Sequence, residues 1–283
     1  MRCWLVGGGV PSSSYWQDKA VLLTGASAGL GLALGKTLAQ RGARVLAVAR
    51  GEQRLQEAYP SAEAVSCFPA DVTNATQMRE ATEAAISEFG RLDAVIACAG
   101  RSDRGRIEAL TAERAADLLD LNFLGAVRTV QPALPHLLKS RGHVVLIASL
   151  ASKTAGPYLG AYPSSKFPLA AYAQQLRLEL GSRGLHTLLV CPGPIARSDA
   201  GGRYDAMAAD LPPEARKPGG GAKLKGLSPE RVADAVLRAC RKRRAELILP
   251  AKARWLLVLQ QLSPKLGDWL VKKMTSAPPP LTS

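Results

Sequence analysis

Residues 20–31 read Ala-Val-Leu-Leu-Thr-Gly-Ala-Ser-Ala-Gly-Leu-Gly, and this stretch decides the fold. Residues 20–23 form an apolar run without polar alternation, which predicts a strand buried on both faces. A stretch of helical periodicity, residues 31–41, follows directly. Glycines between a strand and a helix let the backbone turn tightly, so that free N–H groups at the helix start face an anionic group such as a pyrophosphate. Taken alone, the glycines also fit an ordinary strand-to-helix turn.

The same alternation of apolar runs and helical stretches continues outward along the chain. Further strands are predicted at residues 45–48, 64–68, 94–97, 144–147, 187–190 and 246–250. Helices are predicted at residues 74–89, 111–138 and 165–182 and after Ser228-Pro229. Continuous apolar strands need helices on both faces of the sheet. The sequence therefore predicts an α/β fold, a Rossmann-type doubly wound parallel sheet of about seven strands with helices on both faces.

Composition excludes several classes of protein. The 283 residues are 47% hydrophobic and 21% charged, which suffices for one substantial core. Five cysteines stand far apart without a Cys-x-x-Cys pair, and there are only three histidines, so we expect a reducing compartment and no metal site. The N-terminal apolar run is shorter than the roughly 7–15 residues of a signal peptide. A cytoplasmic location is the resulting expectation.

The net charge of +14 is unevenly distributed. Residues 211–283 carry 15 Lys/Arg against 5 Asp/Glu, whereas residues 1–210 carry 22 against 18. The cluster at residues 241–244 ends a predicted helix, where cations favour the helix dipole, and it has no interleaved aromatic residues. We therefore predict no nucleic-acid partner.

A second group of residues predicts catalysis. Ser149 follows the fifth strand, and thirteen residues later comes Tyr162-Pro163-Ser164-Ser165-Lys166. A tyrosine and a lysine four residues apart share one helix face, where the ammonium lowers the pKa of the phenol. Such a tyrosine can donate a proton to a carbonyl, and a serine above the same crevice can bind the carbonyl oxygen. Because proline is tolerated in a first turn, Pro163 predicts that the helix begins close to Tyr162, and Pro168 predicts a kink.

The two groups together resemble the short-chain dehydrogenase/reductase family over residues 18–250. The glycine spacing Gly-x-x-x-Gly-x-Gly and the Ser149, Tyr162 and Lys166 set carry the resemblance. It implies that Tyr162 is the general acid/base, that Lys166 binds the nicotinamide ribose and lowers the tyrosine pKa, and that Ser149 polarises the carbonyl. The resemblance also implies that Asn122 holds a water molecule that relays protons.

The second strand ends at Arg50 without a carboxylate. A guanidinium there can bind a phosphate, so NADP(H) is preferred, with NAD(H) as the alternative and a surface arginine without a ligand as the other interpretation. The resemblance adds an adenine contact at Asp71 and a turn beside the nicotinamide at residues 192–195. The predicted cofactor-binding residues are Thr24, Gly25, Ser27, Ala28, Gly29, Leu30, Gly31, Arg50, Asp71, Val72, Cys98, Ala99, Gly100, Tyr162, Lys166, Pro192, Gly193 and Ile195.

The sequence departs from the family pattern at three places, of which Pro163 with Pro168 is one. The family's Asn-Asn-Ala-Gly after the fourth strand is Ala97-Cys98-Ala99-Gly100 here, which removes an amide that normally braces the loop and the cofactor. We interpret Cys98 as a small packing residue in preference to a redox group. Arg197 stands where a threonine is often found, and Ser198 is a candidate to replace it.

The resemblance also implies a domain organisation. Residues 1–17 are an N-terminal extension, residues 18–250 the NAD(P)-binding domain, and residues 197–227 within it a substrate lid. Residues 251–283 form a basic extension whose part 251–274 is amphipathic. This part has three interpretations: packing or subunit contact, contact with an anionic membrane surface, and an entrance for a hydrophobic substrate.

The leading expectation is an NADP(H)-dependent oxidoreductase that interconverts a carbonyl and an alcohol on an apolar small molecule. The resemblance implies hydride transfer at nicotinamide C4, a proton from Tyr162, and a homo-oligomer, dimer or tetramer, formed through helices 111–138 and 165–182. Two alternatives stay open: a non-catalytic NADP(H)-binding protein docked on a membrane or partner, and a sugar epimerase or dehydratase.

Overall fold

A computed structural model of the chain describes residues 15–60, 63–196, 204–205, 207–222 and 224–275. Seven strands form one sheet in the order β3-β2-β1-β4-β5-β6-β7, and every neighbouring pair is parallel. The strands are β1 (Ala20–Thr24), β2 (Arg44–Ala49), β3 (Val65–Pro69), β4 (Ala94–Ala97), β5 (His143–Ile147), β6 (His186–Pro192) and β7 (Glu246–Leu249). The predicted fold class is confirmed.

Helices cover both faces of this sheet. They are α1 (Gly29–Gln40), α2 (Glu52–Ala58), α3 (Ala75–Phe89), α4 (Ala112–Leu119), α5 (Gly125–Val130), α6 (Leu134–Ser140), α7 (Tyr162–Leu180), α8 (Pro213–Arg216), α9 (Pro229–Arg241), α10 (Ala253–Leu262) and α11 (Pro264–Met274). Residues of α3, α5 and α7 share one buried cluster with the sheet, and residues of α1, α2 and α9 share the other.

The alternation of side chains along β1 shows why the apolar runs are continuous. Leu22 belongs to the cluster under α3, α5 and α7, whereas its neighbours Val21 and Leu23 belong to the cluster under α1 and α9. All three side chains are fully buried. Successive residues of a strand point to opposite faces of the sheet. A strand of a sheet that helices cover on both faces therefore needs an apolar residue at every position.

The single helix predicted at residues 111–138 is wrong, because this stretch contains three α-helices, α4, α5 and α6. A π-helical segment, Asp120–Leu124, follows α4, and a 3₁₀ turn, Gln131–Ala133, separates α5 from α6. Pro132 and Pro135 lie at the starts of the 3₁₀ turn and of α6, where a missing N–H costs least. Helix α2 was not predicted from the sequence, because it buries only Leu55 and its residues show little periodicity.

The first and last predicted segments are described only in part. Of the extension at residues 1–17, the structure describes residue 15 onward. The amphipathic stretch at 251–274 is two helices, α10 and α11, joined at Ser263, whose hydroxyl accepts a hydrogen bond from the backbone N–H of Leu266. Among the residues that the structure describes, no helix is long and apolar enough to cross a membrane.

Candidate active site

A cleft of about 1360 Å³ opens at the carboxyl ends of the strands. β1 lies between β2 and β4 at the centre of the sheet, and the strand order reverses there. Ligands of open α/β sheets bind at such a switch point because the loops on either side diverge. Every predicted site residue except Thr24 and Asn122 lines the cleft.

The glycine loop is built from close backbone contacts. A Cβ on Gly31 would collide with the carbonyl oxygen of Gly25, and Gly25 has a φ of +68° beside the backbone of Ala99. The first turn of α1 has no side-chain N-cap at Ala28. Because its N–H groups face the cleft without a capping side chain, the loop fits the pyrophosphate of a dinucleotide.

Tyr162 is the first residue of α7, with Pro163 behind it in the first turn, which confirms the predicted helix start. The helix continues through Pro168 to Leu180 as one element, and the kink expected at Pro168 stays a prediction. The Tyr162 and Lys166 side chains both line the cleft from successive turns of α7. Their placement brings the predicted proton donor and the predicted cation to one wall.

Lys166 is almost fully buried, with 4% of the residue exposed. Its ammonium donates a hydrogen bond to the carbonyl oxygen of Ile147 at 3.1 Å. Burial lowers the pKa of Lys166 to about 8, because desolvation disfavours the charged form. A lysine held in this state carries its charge near neutral pH but gives it up readily.

Ser149 follows the end of β5 and lines the cleft. Its hydroxyl oxygen accepts a hydrogen bond from the N–H of Ala151 at 3.1 Å, and its own N–H donates to the hydroxyl of Ser152. This capping box fixes the side chain. The hydroxyl oxygen is an acceptor in the cap, so its hydrogen can be donated to a substrate oxygen.

Asn122 lies behind the cleft wall and is buried. Its amide joins three segments: the carbonyl oxygen accepts from the N–H of Arg101, and the NH₂ donates to the Arg101 carbonyl and to the Ser165 hydroxyl. Ser165 in turn donates to the carbonyl oxygen of Tyr162. Asn122 therefore positions the first turn of α7, and the π-helical segment brings it there.

Thr24 also lies outside the cleft wall and braces the loop after β4. Its hydroxyl oxygen accepts hydrogen bonds from the N–H groups of Cys98 and Ala99 at 3.2 and 3.4 Å. Thr24 thus holds the loop whose two family asparagines are replaced. Burial raises the pKa of the Cys98 thiol to about 12, so the thiol stays protonated near neutral pH. This state agrees with Cys98 as a packing residue.

The end of the cleft beside β2 and β3 carries two cations and one carboxylate. Arg50 is largely exposed at the end of β2, and its guanidinium lies 3.9 Å from the Asp71 carboxylate. Arg54, in the first turn of α2, lines the same end and was not predicted from the sequence. Asp71 also accepts hydrogen bonds from the N–H and hydroxyl of Thr73, which fixes its orientation.

Sequence reasoning missed the buried cation Arg104, which lines the cleft and is 2% exposed. Its guanidinium donates to the carbonyl oxygens of Ala215 and Lys217, at 2.8 and 3.3 Å, and lies 3.9 Å from the ring centre of Tyr204. The Tyr204 hydroxyl is hydrogen-bonded to Ser102 at 2.7 Å. These contacts fasten the described part of the predicted lid to the loop after β4.

The neighbouring Asp103 fastens the same loop to the turn before Tyr162. Its carboxylate pairs with Arg114 at 2.5 Å and accepts a hydrogen bond from the N–H of Ala161, the residue before Tyr162, at 3.0 Å. Nothing local in the sequence signals Asp103 or Arg104. Ala161, which donates to Asp103, and Ala215, which accepts from Arg104, lie 58 and 111 positions away in the sequence.

We expect Arg104→Lys to loosen the lid segment. A lysine keeps the charge but cannot donate in several fixed directions and stack on Tyr204 at once, so buried carbonyl oxygens lose partners at a cost of about 1–3 kcal/mol. Limited proteolysis at residues 204–217 should accelerate about tenfold, with the rest of the chain resistant. Arg106→Lys, an exposed neighbour, is the control. An unchanged cleavage rate in Arg104→Lys would contradict this role.

Comparison with known proteins identifies the family. A sequence profile described as short chain dehydrogenase matches residues 19–208. The chain belongs to the short-chain dehydrogenase family. An uncharacterized oxidoreductase of Staphylococcus epidermidis is 34% identical over 181 residues, which cover 63% of this chain and 79% of the relative. The 11-beta-hydroxysteroid dehydrogenase 1A of Arabidopsis thaliana is 36% identical over 201 residues, covering 68% of this chain and 57% of that protein.

Solved structures of short-chain dehydrogenases share the fold. A short-chain dehydrogenase from Streptomyces avermitilis superposes with a TM-score of 0.74 at 25% identity, covering 89% of this chain and 96% of that chain. An alcohol dehydrogenase from the archaeon Thermococcus sibiricus, complexed with 5-hydroxy-NADP, gives a TM-score of 0.68 at 26% identity, with 82% and 95% covered.

The short-chain dehydrogenase match contains every predicted site residue and ends within the predicted lid. The helices α9, α10 and α11 and strand β7 lie beyond it. Arg197 and Ser198 fall outside the residues that the structure describes, so their predicted roles stay predictions. Within the described residues there is no group of three or more metal-ligating side chains.

Proposed function

We propose that this short-chain dehydrogenase is an NADP(H)-dependent oxidoreductase that interconverts a carbonyl and an alcohol on an apolar small molecule. The observation that carries the proposal is that Ser149, Tyr162 and Lys166 line one cleft together with the glycine loop. The cradle of Gly25 and Gly31 fits a dinucleotide, because no side chain obstructs the backbone N–H groups at the start of α1.

The side chains divide the chemistry between them. The nicotinamide supplies or accepts the hydride when it is bound. In the direction of reduction, Tyr162 donates its phenolic proton to the substrate oxygen, and Ser149 donates a hydrogen bond to the same oxygen as negative charge develops there. The Lys166 ammonium, on the same face of α7, favours the phenolate that Tyr162 leaves behind.

The walls of the substrate end favour an apolar molecule. They are formed by Leu150, Leu159, Leu224, Leu256, Val271 and Met274. Apolar walls around a few convergent polar groups are typical of small-molecule sites. The Arabidopsis relative is a hydroxysteroid dehydrogenase by name, which agrees with an apolar substrate class.

The preference for NADP(H) rests on Arg50 and Arg54 at the adenosine end of the cleft. A 2′-phosphate placed there would gain the charge-assisted hydrogen bonds that a free ribose hydroxyl cannot make. The Asp71 carboxylate accepts a hydrogen bond from Thr73 and faces the Arg50 guanidinium. The positive charge of Arg50 reduces the repulsion between this carboxylate and a bound phosphate. The similar fold of the Thermococcus alcohol dehydrogenase, which is complexed with 5-hydroxy-NADP, supports the same cofactor class for this chain.

Arg50→Ala tests the cofactor preference. We expect the ratio of kcat/KM for NADPH to that for NADH to fall about 10- to 100-fold, the equivalent of one charge-assisted hydrogen bond. Kinetics with both cofactors and direct binding of each give the measurement. Arg79→Ala, an exposed arginine on α3 outside the cleft, should leave the ratio unchanged. A wild-type preference for NADH, or a ratio unaffected by Arg50→Ala, would refute the assignment.

The reaction class is tested by a panel of apolar aldehydes and ketones, with NADPH oxidation followed by absorbance. Turnover of at least one compound supports the proposal. Tight NADPH binding without turnover of any compound would favour the non-catalytic alternative, and tightly retained NAD would favour an epimerase or dehydratase.

We also propose a homo-oligomer. Phe167 and Leu178 on α7 are exposed, as is Leu124 on the adjacent π-helical segment, and these apolar side chains lie on the predicted contact helices. Light scattering of the purified chain measures the oligomeric state directly.

A further inference from the structure

The helices α10 and α11, which we name the C-terminal hairpin, expose an unusual amount of apolar surface. In α10, Trp255, Val258, Leu259 and Leu262 recur at the spacing of one helix face, and between 40% and 76% of each residue is exposed. Leu266 and Trp269 continue the exposed series in α11. These six residues are the docking face.

The opposite side of the hairpin is firmly anchored. Ala253 and Leu257 of α10 are buried in the core cluster under the sheet. Gly267 of α11 packs so closely against Gln260 of α10 that a Cβ there would collide with it, so α11 is held on α10. Since the inner side holds the hairpin on the domain, exposure of the docking face does not reflect a detached helix pair.

The charges around the docking face are almost all positive. Lys252, Arg254, Lys265, Lys272 and Lys273 are exposed, and Asp268 is the single acidic residue of the segment 251–275. The Lys273 ammonium lies 5.0 Å from the ring centre of Trp269, so cationic and aromatic groups are interleaved. Exposed tryptophans among lysines are the composition of surfaces that lie in the headgroup region of anionic bilayers.

The same hairpin borders the active-site cleft. Leu256 of α10 and Val271 and Met274 of α11 line the cleft, one position away from exposed members of the docking face or its cations. A molecule held at the outer face therefore has an apolar path along the hairpin to the substrate end.

We infer that the docking face binds the surface of an anionic phospholipid bilayer, from which an apolar substrate enters the cleft. Entry of an apolar substrate from the bilayer rests on the proposed function, whereas binding of the docking face to the bilayer does not. The local charge argues against the hairpin of a second copy as occupant, because two docking faces surrounded by cations would repel each other. A bilayer containing acidic lipids supplies both the apolar layer and the countercharge.

Vesicle sedimentation with the purified full-length protein tests the binding. We expect the partition coefficient onto phosphatidylcholine vesicles to rise at least tenfold when phosphatidylserine is included, since each basic residue near an anionic surface contributes about fivefold. Trp255→Ser combined with Trp269→Ser should lower the partition coefficient about tenfold or more. Ile107→Ser, which is 74% exposed like Trp255 but lies away from the hairpin, should not.

The charge dependence is tested by Lys272→Glu combined with Lys273→Glu. Its partition onto phosphatidylserine-containing vesicles should fall more than tenfold. Arg238→Glu combined with Lys242→Glu, at the end of α9, is the matched control for the change in net charge. Tryptophan emission gives a second measurement: it should shift to shorter wavelength on vesicle addition, and Trp255→Phe combined with Trp269→Phe should abolish the shift.

The outcomes separate this inference from the proposed function. Absence of binding to phosphatidylserine vesicles, or equal binding by the tryptophan variants, overturns the docking face as a membrane surface. Loss of self-association in the tryptophan variants, without vesicle binding by the wild type, assigns the surface to a second copy instead and also overturns it. Turnover of the panel of apolar aldehydes and ketones is measured in parallel without vesicles, and its failure would count against the proposed function alone.

Discussion

Replacing Tyr162 with phenylalanine is expected to lower the rate of NADPH-dependent carbonyl reduction about 10²- to 10⁴-fold, the usual contribution of a positioned general acid. The ring stays at the start of α7 and keeps its packing, but the phenolic proton is gone. NADPH affinity, measured by nucleotide fluorescence, should change little, because the glycine loop and Arg50 are untouched.

The matched control is Tyr172→Phe, which removes a phenol from the same helix outside the cleft. It should retain wild-type turnover. If Tyr162→Phe turned over substrate at the wild-type rate, Tyr162 would not be the proton donor, and the reaction class would have to be assigned again.

Lys166→Met is expected to change activity and stability in opposite directions. Turnover should fall by a factor similar to that of Tyr162→Phe, because the charge that favours the phenolate is lost. The free energy of unfolding at pH 7 should rise by about 1–3 kcal/mol, since a buried ammonium with a lowered pKa costs the folded state stability.

The pH dependence of stability separates this effect from simple repacking. The pKa of Lys166 is about 8 in the folded protein, against an ordinary lysine value of 10.5 in the unfolded chain, so the unfolded chain binds more protons between these values. The wild type should therefore gain stability as the pH rises from 8 to 10.5, and the advantage of Lys166→Met should shrink over that window. Urea unfolding at several pH values measures it, with Lys139→Met as an exposed control. A Lys166→Met variant less stable than the wild type at pH 7 would contradict the assignment.

The sequence alone predicted the sheet and most of the cleft because both depend on local patterns. The run at residues 20–23 is continuous because β1 is covered on both faces, and the glycines that follow are required by backbone contacts. Tyr162 and Lys166 share a helix face, so their spacing predicted a common wall. In each case the pattern that made the prediction possible spans only a few consecutive residues.

What the sequence did not predict depends on distant partners. In the sequence Arg104 looks like an ordinary loop residue, and its role depends on the carbonyl oxygens of Ala215 and Lys217, which are distant along the chain. The division of the helix at residues 111–138 follows from prolines that periodicity tolerates and from a π-helical segment, in which Asn122 bonds to Arg101 and Ser165. Helical periodicity carries no information about these contacts.

The loop Ser102-Asp103-Arg104 carries a consequence for protein engineering. Ser102 and Arg104 hold Tyr204 and the backbone of the lid segment, while Asp103 holds the turn that presents Tyr162. One short segment of chain therefore holds both the described part of the predicted lid and the turn before Tyr162. A chimaera that receives the lid of another short-chain dehydrogenase must also receive that donor's equivalent of these three residues, or the grafted lid and the native catalytic turn will impose conflicting geometries on one loop.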